Sequence, residues 1–398
     1  MTLAVAPASR ADSPFDLGSE SFLVDPWPVY AQLRAREPVH WSATTGAFVV
    51  LEHATVGKGL LDGRFTSRSP LSGSRNLFGL GFLDTDGPAH RSLRRAVGPV
   101  FGARAVLDHA TRTIEPVVER VLASVAADEE LDFVSRIATQ VPYGVMAAVL
   151  GIPDANTEWL RERVAPLARV LEFPPGGADE ALAAMTELEA HLREVLATTP
   201  VRRDTRTVLG ALAANRAEPV DSVETLRAAI FLLVAGTETS VSAITNVMQC
   251  LLTHPDEMGR LWSDESTVVP VVQETLRWEP STHSVLRFAR EDAELDGVAI
   301  PRRSPVVFSI AAANRDPRVF ADPERWDPGR PQAKAITFGA GPHMCAGLHL
   351  AQEEFATFFR RLRERVERVE LAADPPQIRG HSFRRAERLM VRWHPRRR

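Results

Sequence analysis

The stretch FGAGPHMCAG, residues 338–347, sets one of the chain's two cysteines among three glycines, a proline and a histidine. Directly behind it, Leu348, Ala351, Phe355, Phe359, Leu362 and Val366 recur at helical spacing, which puts Cys345 at or just before a helix N-terminus. Unpaired N–H groups and the positive end of the helix dipole favour a thiolate over a thiol there. Gly339, Gly341 and Gly347 let the backbone approach something bulky and flat, and permit φ > 0 where a side chain would clash. Pro342 stiffens the loop and Phe338 offers an aromatic face. The pattern therefore predicts a rigid loop presenting a sulfur at a helix mouth.

Three chemistries compete for that sulfur. A zinc site needs about four ligands, usually including a CxxC or HxxxH pair, and His343 with Cys345 cannot supply them. A cysteine nucleophile wants an imidazole base, and His343 could serve. A thiolate donating to a metal already held in a planar macrocycle, with backbone N–H groups bonding the sulfur, uses every feature of the stretch.

The rest of the chain bounds the setting. Cys250 and Cys345 are far apart and the start MTLAVAPASRADSPFDLG lacks a signal-peptide pattern, so a disulfide framework is not expected and a reducing cytoplasm is. No run is expected to reach the roughly 18–20 apolar residues that cross a bilayer, which predicts a soluble chain with no membrane partner. A formal net charge of −4 argues against general attraction to nucleic acid. Only Lys58 and Lys334 are lysines among 47 basic residues, a bias read mainly as genomic composition. The length of 398 residues suggests two or three domains, and 44% apolar residues suffice for a large core.

Along the chain, DPWPVYAQLRARE (25–37) carries a helix signal and is followed by two strand-like runs, PVHWSA and GAFVVLEH, which predict a small sheet near the N-terminus. From about residue 88 to 270 helical periodicity dominates, as at Leu182, Met185, Leu188, Leu192, Val195 and Leu196. EFPPGG (172–177) cannot continue a helix through its two prolines and reads as a surface turn or a lid hinge. Beyond residue 280 short strands alternate with turns rich in Pro, Asp and Gly. No repeat, low-complexity linker or composition shift marks a boundary.

FGAGPHMCAG matches the pattern FGxGxHxCxG at every fixed position, and with it the chain resembles the haem-thiolate monooxygenases, the cytochromes P450. Further segments carry the likeness. LLVAGTETS (232–240) is similar to the central-helix pattern [A/G]Gx[D/E]T, placing Ala235, Gly236, Glu238 and Thr239 where a kink opens a dioxygen pocket and an acid–alcohol pair delivers protons. DTDGPAHRSLRRAVGPVF (84–101) resembles DxPxHxxLR. ETLR (274–277) resembles the ExxR pair, and AAANRDPRVFADPERWDP (311–328) the turn-rich region before the cysteine loop, with Arg325 expected as the third member of the ExxR network. The likeness spans essentially the whole chain. It implies one mainly α domain with small β-sheets, residues 1–398, replacing the two or three suggested by length, with the haem between the long central helix and the cysteine loop.

What this resemblance implies for function is specific. Haem b would be ligated by Cys345, with Phe338 beside it and His90, Arg94, Arg287 and His343 meeting the haem carboxylates; Glu238 and Thr239 would be catalytic. Lacking a flavin or nicotinamide fingerprint, the chain would take electrons from a ferredoxin and its reductase, docking near Arg91 and Arg95 on the cysteine side. Phe231, Val234, Ala235, His283, Val285 and Phe383 are expected to line the substrate pocket, residues 67–83 to form a variable wall, and EFPPGG to act as the lid. The product would be a small hydrophobic or aromatic molecule carrying one oxygen atom from dioxygen, in bacterial natural-product tailoring, from a monomeric enzyme and with a carrier-tethered substrate allowed. Oxidative coupling or desaturation, a peroxide-driven peroxygenase and a non-catalytic haem binder are the alternatives.

Overall fold

The computed structural model describes residues 16, 19–70, 73–126, 128–152, 155–171, 177–198, 206–215, 219–331, 334–380 and 382–396. Helices account for most of them, and the central one, Val223–Thr253, is 31 residues long. Ser222 caps it, its hydroxyl accepting from the Thr225 N–H, and the chain turns at His254 into a helix opened by Pro255, since a proline's missing N–H costs nothing at a helix start. Helices Gln140–Leu150, Ala178–Thr198, Val268–Trp278 and Leu348–Arg365 pack around it. Their apolar faces form one core that runs from Leu77 to Trp393.

The central helix departs from expectation in one respect. It is long and apolar enough to cross a bilayer, although no such run was expected, and it is mostly buried inside the fold. Its apolar surface is spent on neighbouring helices: Ile230, Val234, Ile244 and Met248 are all closed to solvent. Burial on all sides makes a helix hydrophobic all round, in a core as in a membrane.

The N-terminal strand pair is present and belongs to a mixed five-stranded sheet. Val39–Ser42 pairs antiparallel with Ala47–Val50, which runs parallel to Pro305–Ser309; that strand pairs antiparallel with Ser284–Ala289, and Phe65–Thr66 closes the edge. The register Arg287↔Val306 fixes where Arg287 leaves the sheet. Helix His53–Leu61 lies on this sheet so closely that a Cβ on Gly59 would overlap the Phe308 ring. A three-stranded sheet of Glu130–Asp132, Met390–Pro395 and Val366–Leu371 stands apart from it and ties the chain's end to its middle.

The ExxR network differs from its expected membership. Glu274 and Arg277, both fully buried, pair at 2.8 Å, and Arg277 also donates to the carbonyls of Asn314, Pro323 and Arg325 at 2.9, 3.0 and 3.2 Å. The second arginine on Glu274 is Arg330, at 3.4 Å, rather than Arg325, whose side chain is exposed and whose backbone alone takes part. The turn at residues 322–327 points the Arg325 backbone inward and swings the chain round, so that Arg330 is the side chain that reaches the buried carboxylate.

Candidate active site

The cysteine loop is built by two left-handed glycines and a single helical turn. Gly339 and Gly341 have φ of 74° and 73°, and Gly341–His343 forms one 3₁₀ turn. The Cys345 N–H donates to the Phe338 carbonyl at 2.9 Å, closing the loop on itself. Gly341 lies against the backbone of helix His53–Leu61: a Cβ there would sit 2.7 Å from the Leu60 carbonyl oxygen. Gly347 caps helix Leu348–Arg365, so Cys345 stands two residues before the cap, as the periodicity predicts.

The electrostatics of the sulfur correct the helix-dipole expectation. The surface of Cys345 is open, but protein crowds its sulfur. That desolvation raises the thiol above its ordinary value; the Gly347 N–H and the Arg94 guanidinium oppose the rise without cancelling it. A metal ion ligated through this sulfur would favour the thiolate against that desolvation.

Beside the loop lies a basic cluster from three elements. His90 and Arg94 sit one turn apart on helix Gly87–Phe101, Arg287 comes from the central sheet, and His343 from the cysteine loop. The His90 and His343 rings stack with centroids 4.0 Å apart. Burial pushes His90 down to about 4, with help from His343 and Arg94, and burial likewise lowers Arg94 and Arg287. One carboxylate answers the cluster: Asp86, at 2.9 Å from His343 and 2.6 Å from Arg290. Burial alone would raise Asp86, yet hydrogen bonds from His343, Thr66 and Arg290 hold it well below the usual carboxylate range. Arg287 donates to the Leu286 carbonyl, and among the described residues neither it nor Arg94 forms a salt bridge. The buried Arg287 and half-buried Arg94 guanidiniums, without carboxylate partners among the described residues and near the cysteine loop, suit a flat group carrying two carboxylates and a metal. The residues fit a haem.

On the central helix, Phe231, Ala235 and Thr239 are partly exposed at successive four-residue steps, so they share one open face. Phe231 meets Phe78 edge-on at 5.6 Å and stacks with Phe82 at 6.0 Å, which brings the wall segment over this face. Val234 does not belong to it: it is fully buried among neighbouring helices. The helix is continuous through Gly236, whose missing side chain admits Met146; a Cβ would lie 2.7 Å from the Met146 sulfur. Thr239 bends its hydroxyl back to the Ala235 carbonyl at 2.9 Å.

His283 also lies elsewhere than expected. It is buried, bonded to Glu279 at 2.9 Å and packed against Trp27 and Tyr30. Glu279 in turn accepts from Arg384 at 3.0 Å. Burial pushes His283 down to about 4, and its ring joins the N-terminal helix to the C-terminal segment instead of facing a pocket. Val285 and Phe383 are partly buried, the first against the sheet and the second against the main core. Of the lid stretch EFPPGG, residues 172–176 lie outside the described residues, as do residues 71 and 72 of the wall segment.

Three residues near the site were not anticipated. Asp86 holds the His343 ring. Tyr143 donates to Glu238 Oε1 at 2.6 Å, and Arg385 donates to Glu238 Oε2 at 3.0 Å. Tyr143 carried a signal, a phenol inside the apolar run QVPYGVMAAVL that must find a partner when buried. Arg385, one of many arginines, carried none.

Comparison with known proteins points one way. The family model described as Cytochrome P450 matches residues 184–377. The chain is 33% identical to the cytochrome P450 monooxygenase PikC of Streptomyces venezuelae, over 95% of this chain and 94% of that one. The structure of P450BioI, solved with an acyl carrier protein bearing hexadec-9Z-enoic acid, superimposes with a TM-score of 0.86 at 28% identity, covering 94% of this chain and all of that one. The tirandamycin C-bound P450 monooxygenase TamI gives a TM-score of 0.82 at 27% identity, covering 95% and 100%.

Proposed function

The chain belongs to the cytochrome P450 family and is a haem-dependent monooxygenase, and from that premise we propose that it inserts one oxygen atom into a small hydrophobic or aromatic natural product. The observation that carries the proposal is the open face of Phe231, Ala235 and Thr239, roofed by Phe78 and Phe82. Aromatic and small apolar side chains make a site that recognises a molecule by shape, with few polar anchors. TamI, with tirandamycin C bound, supports the natural-product class.

Haem b, held through Cys345, would supply dioxygen activation. The chain's own residues do the rest. Cys345 would hold the metal at the helix mouth, Gly339 and Gly341 would keep side chains away from the flat group, and Phe338 would offer it an aromatic contact. His90, Arg94, Arg287 and His343 would hold the two carboxylates. The phenyl rings of Phe78, Phe82 and Phe231 exclude water and hold substrate above Ala235. Thr239 Oγ1 and Glu238 handle protons beside that space. The chain works as one domain, a reading supported by the core and the two larger sheets, each of which joins distant segments.

Electrons come from a ferredoxin and its reductase. Beside the cysteine loop lies a groove of about 540 Å³ whose lining includes Leu107, Val269, Phe338, His349, Glu353 and Arg360, and Arg91 and Arg95 are exposed on the helix that carries His90. The exposed guanidiniums of Arg91 and Arg95 suit a small acidic redox protein by charge complementarity. The acyl-carrier-protein complex of P450BioI favours a second reading in which the substrate arrives tethered.

The test begins with the carbon-monoxide difference spectrum of the reduced protein. The red-shifted Soret band of a thiolate haem is expected, and its absence overturns the reading at Cys345. Spectral titration with free and carrier-linked polyketide and fatty-acyl compounds then identifies the substrate class; binding of polar compounds only would overturn the apolar assignment.

A further inference from the structure

Glu238 has both oxygens taken. Tyr143 Oη, on helix Gln140–Leu150, donates to Oε1 at 2.6 Å, and Arg385 Nη2, in the C-terminal segment, donates to Oε2 at 3.0 Å. Arg385 Nη1 also reaches the Ser242 hydroxyl, one turn further along the central helix, at 3.2 Å. The neighbouring Thr239 is not bonded to Glu238; its hydroxyl donates to the Ala235 carbonyl. Adjacent positions on a helix project about 100° apart, so the carboxylate is drawn to the flank of the helix while Thr239 stays on the open face.

The frame behind these contacts is stiff. Tyr143 is closed to solvent, and burial together with the Glu238 carboxylate keeps its phenol well above the usual range. Arg384, next to Arg385, is buried and donates to Glu279 and to the carbonyls of Leu23, Val24 and Gly380, which leaves its segment little room to shift. Arg385 itself keeps a quarter of its side chain exposed. Glu238 is thereby linked to the surface through one guanidinium and to the core through one phenol.

We propose that Tyr143 and Arg385 are positioning residues that hold the Glu238 carboxylate aside from Thr239, so that Glu238 serves the reaction only by releasing one of these contacts. The proposal rests on the reading of Glu238 as a proton-handling group. It assigns the rate of proton delivery to the strength of two contacts outside the substrate pocket, and it makes the tyrosine the inner latch and the arginine the outer one.

The chain's only tyrosines are Tyr30 and Tyr143, which makes the inner latch directly visible. Holoenzyme labelled with carbon-13 at the tyrosine Cζ should give two ring signals, assigned with Tyr30→Phe. Glu238→Gln should move the Tyr143 signal and lower the pH at which it titrates; an unmoved signal overturns the contact. The second readout is the solvent deuterium isotope effect on dioxygen consumption driven by a surrogate ferredoxin and its reductase. Tyr143→Phe and Arg385→Gln should each change it about twofold, with Arg385→Lys restoring it, at an unchanged carbon-monoxide spectrum. If Glu238→Gln changes the isotope effect while Tyr143→Phe and Arg385→Gln leave it alone, the latch is overturned and the proton reading stands. If Glu238→Gln leaves it alone as well, the proton reading fails and carries the proposal down with it.

Discussion

The imidazoles of His90 and His343 stack at 4.0 Å with 30° between their planes, locking the helix that begins at Gly87 to the loop that carries Cys345. Two rings from segments more than 250 residues apart thus form one wall of the proposed haem site. Because burial keeps His90 down at about 4, the stack is neutral on that side at ordinary pH and the guanidiniums of Arg94 and Arg287 carry the charge.

Removal of those guanidiniums should loosen the cofactor. A charge-assisted hydrogen bond contributes about 1.5–3 kcal/mol, so Arg94→Ala and Arg287→Ala should each release haem to an apomyoglobin acceptor about tenfold faster or more. His90→Ala should have a smaller effect. Unchanged release from both arginine variants would show that the carboxylates lie elsewhere.

The buried pair of Glu274 and Arg277 should be intolerant of conservative change. A lysine at 277 cannot reach Glu274 and the three carbonyls together, and breaking a buried pair costs about 3–5 kcal/mol. Guanidinium-chloride unfolding should show that loss for Arg277→Lys. The same measurement separates the two candidate third members: Arg330→Gln should destabilise clearly and Arg325→Gln hardly at all, because only the first side chain reaches Glu274.

Two glycines of the cysteine loop should respond differently to alanine. Gly341 has φ of 73° and a Leu60 carbonyl 2.7 Å from the missing Cβ, whereas Gly347 has open space around it and an ordinary φ of −91°. Gly341→Ala should cost about 1–3 kcal/mol in thermal stability and broaden the Soret band. Gly347→Ala should be close to neutral in both measurements.

Glu354 should set an alkaline limit to stability. It is buried on helix Leu348–Arg365, one carboxyl oxygen has no partner among the described residues, and burial pushes its carboxyl up to about 8. The folded state therefore holds this proton more tightly than the unfolded chain. The resulting stabilisation is full below the ordinary value near 4.5 and is lost as pH rises through about 8. Glu354→Gln should match the parent in denaturant midpoint at the acid end and exceed it at the alkaline end; a gap independent of pH would refute this.

Reversal of the charge at Arg91 and Arg95 to glutamate should slow reduction by ferredoxin about tenfold at low ionic strength, with the gap closing as salt is added. Stopped-flow reduction rates check it. Equal rates for parent and variant would move the electron donor to another face.

Much of the architecture and of the site was legible where the pattern is local. The cysteine loop and the helix behind it, the helical middle of the chain, the N-terminal strand pair and the Glu274–Arg277 spacing all depend on residues within a turn or two of one another. Steric rules for glycine, and the helical period, act at that range. The thiol of Cys345 marks where such reasoning stops: the helix mouth favours a thiolate, but desolvation, which depends on everything packed around the sulfur, pushes the other way.

Periodicity places Val234 on the central helix, yet which side of that helix is open depends on the helices laid against it, and Val234 falls on a closed side. His283 sits in the expected stretch of chain but turns into a buried network with Glu279 and Arg384. Arg325 and Arg330 are indistinguishable by residue type, and the turn between them decides which one meets Glu274. Glu238 finds Tyr143 95 residues earlier and Arg385 147 residues later. The sequence by itself determined the cysteine, its loop and the helical frame, because short-range sterics and spacing suffice for them; only the tertiary structure decided the partners of Glu238, since contacts across such separations arise from how whole elements pack and from no local period.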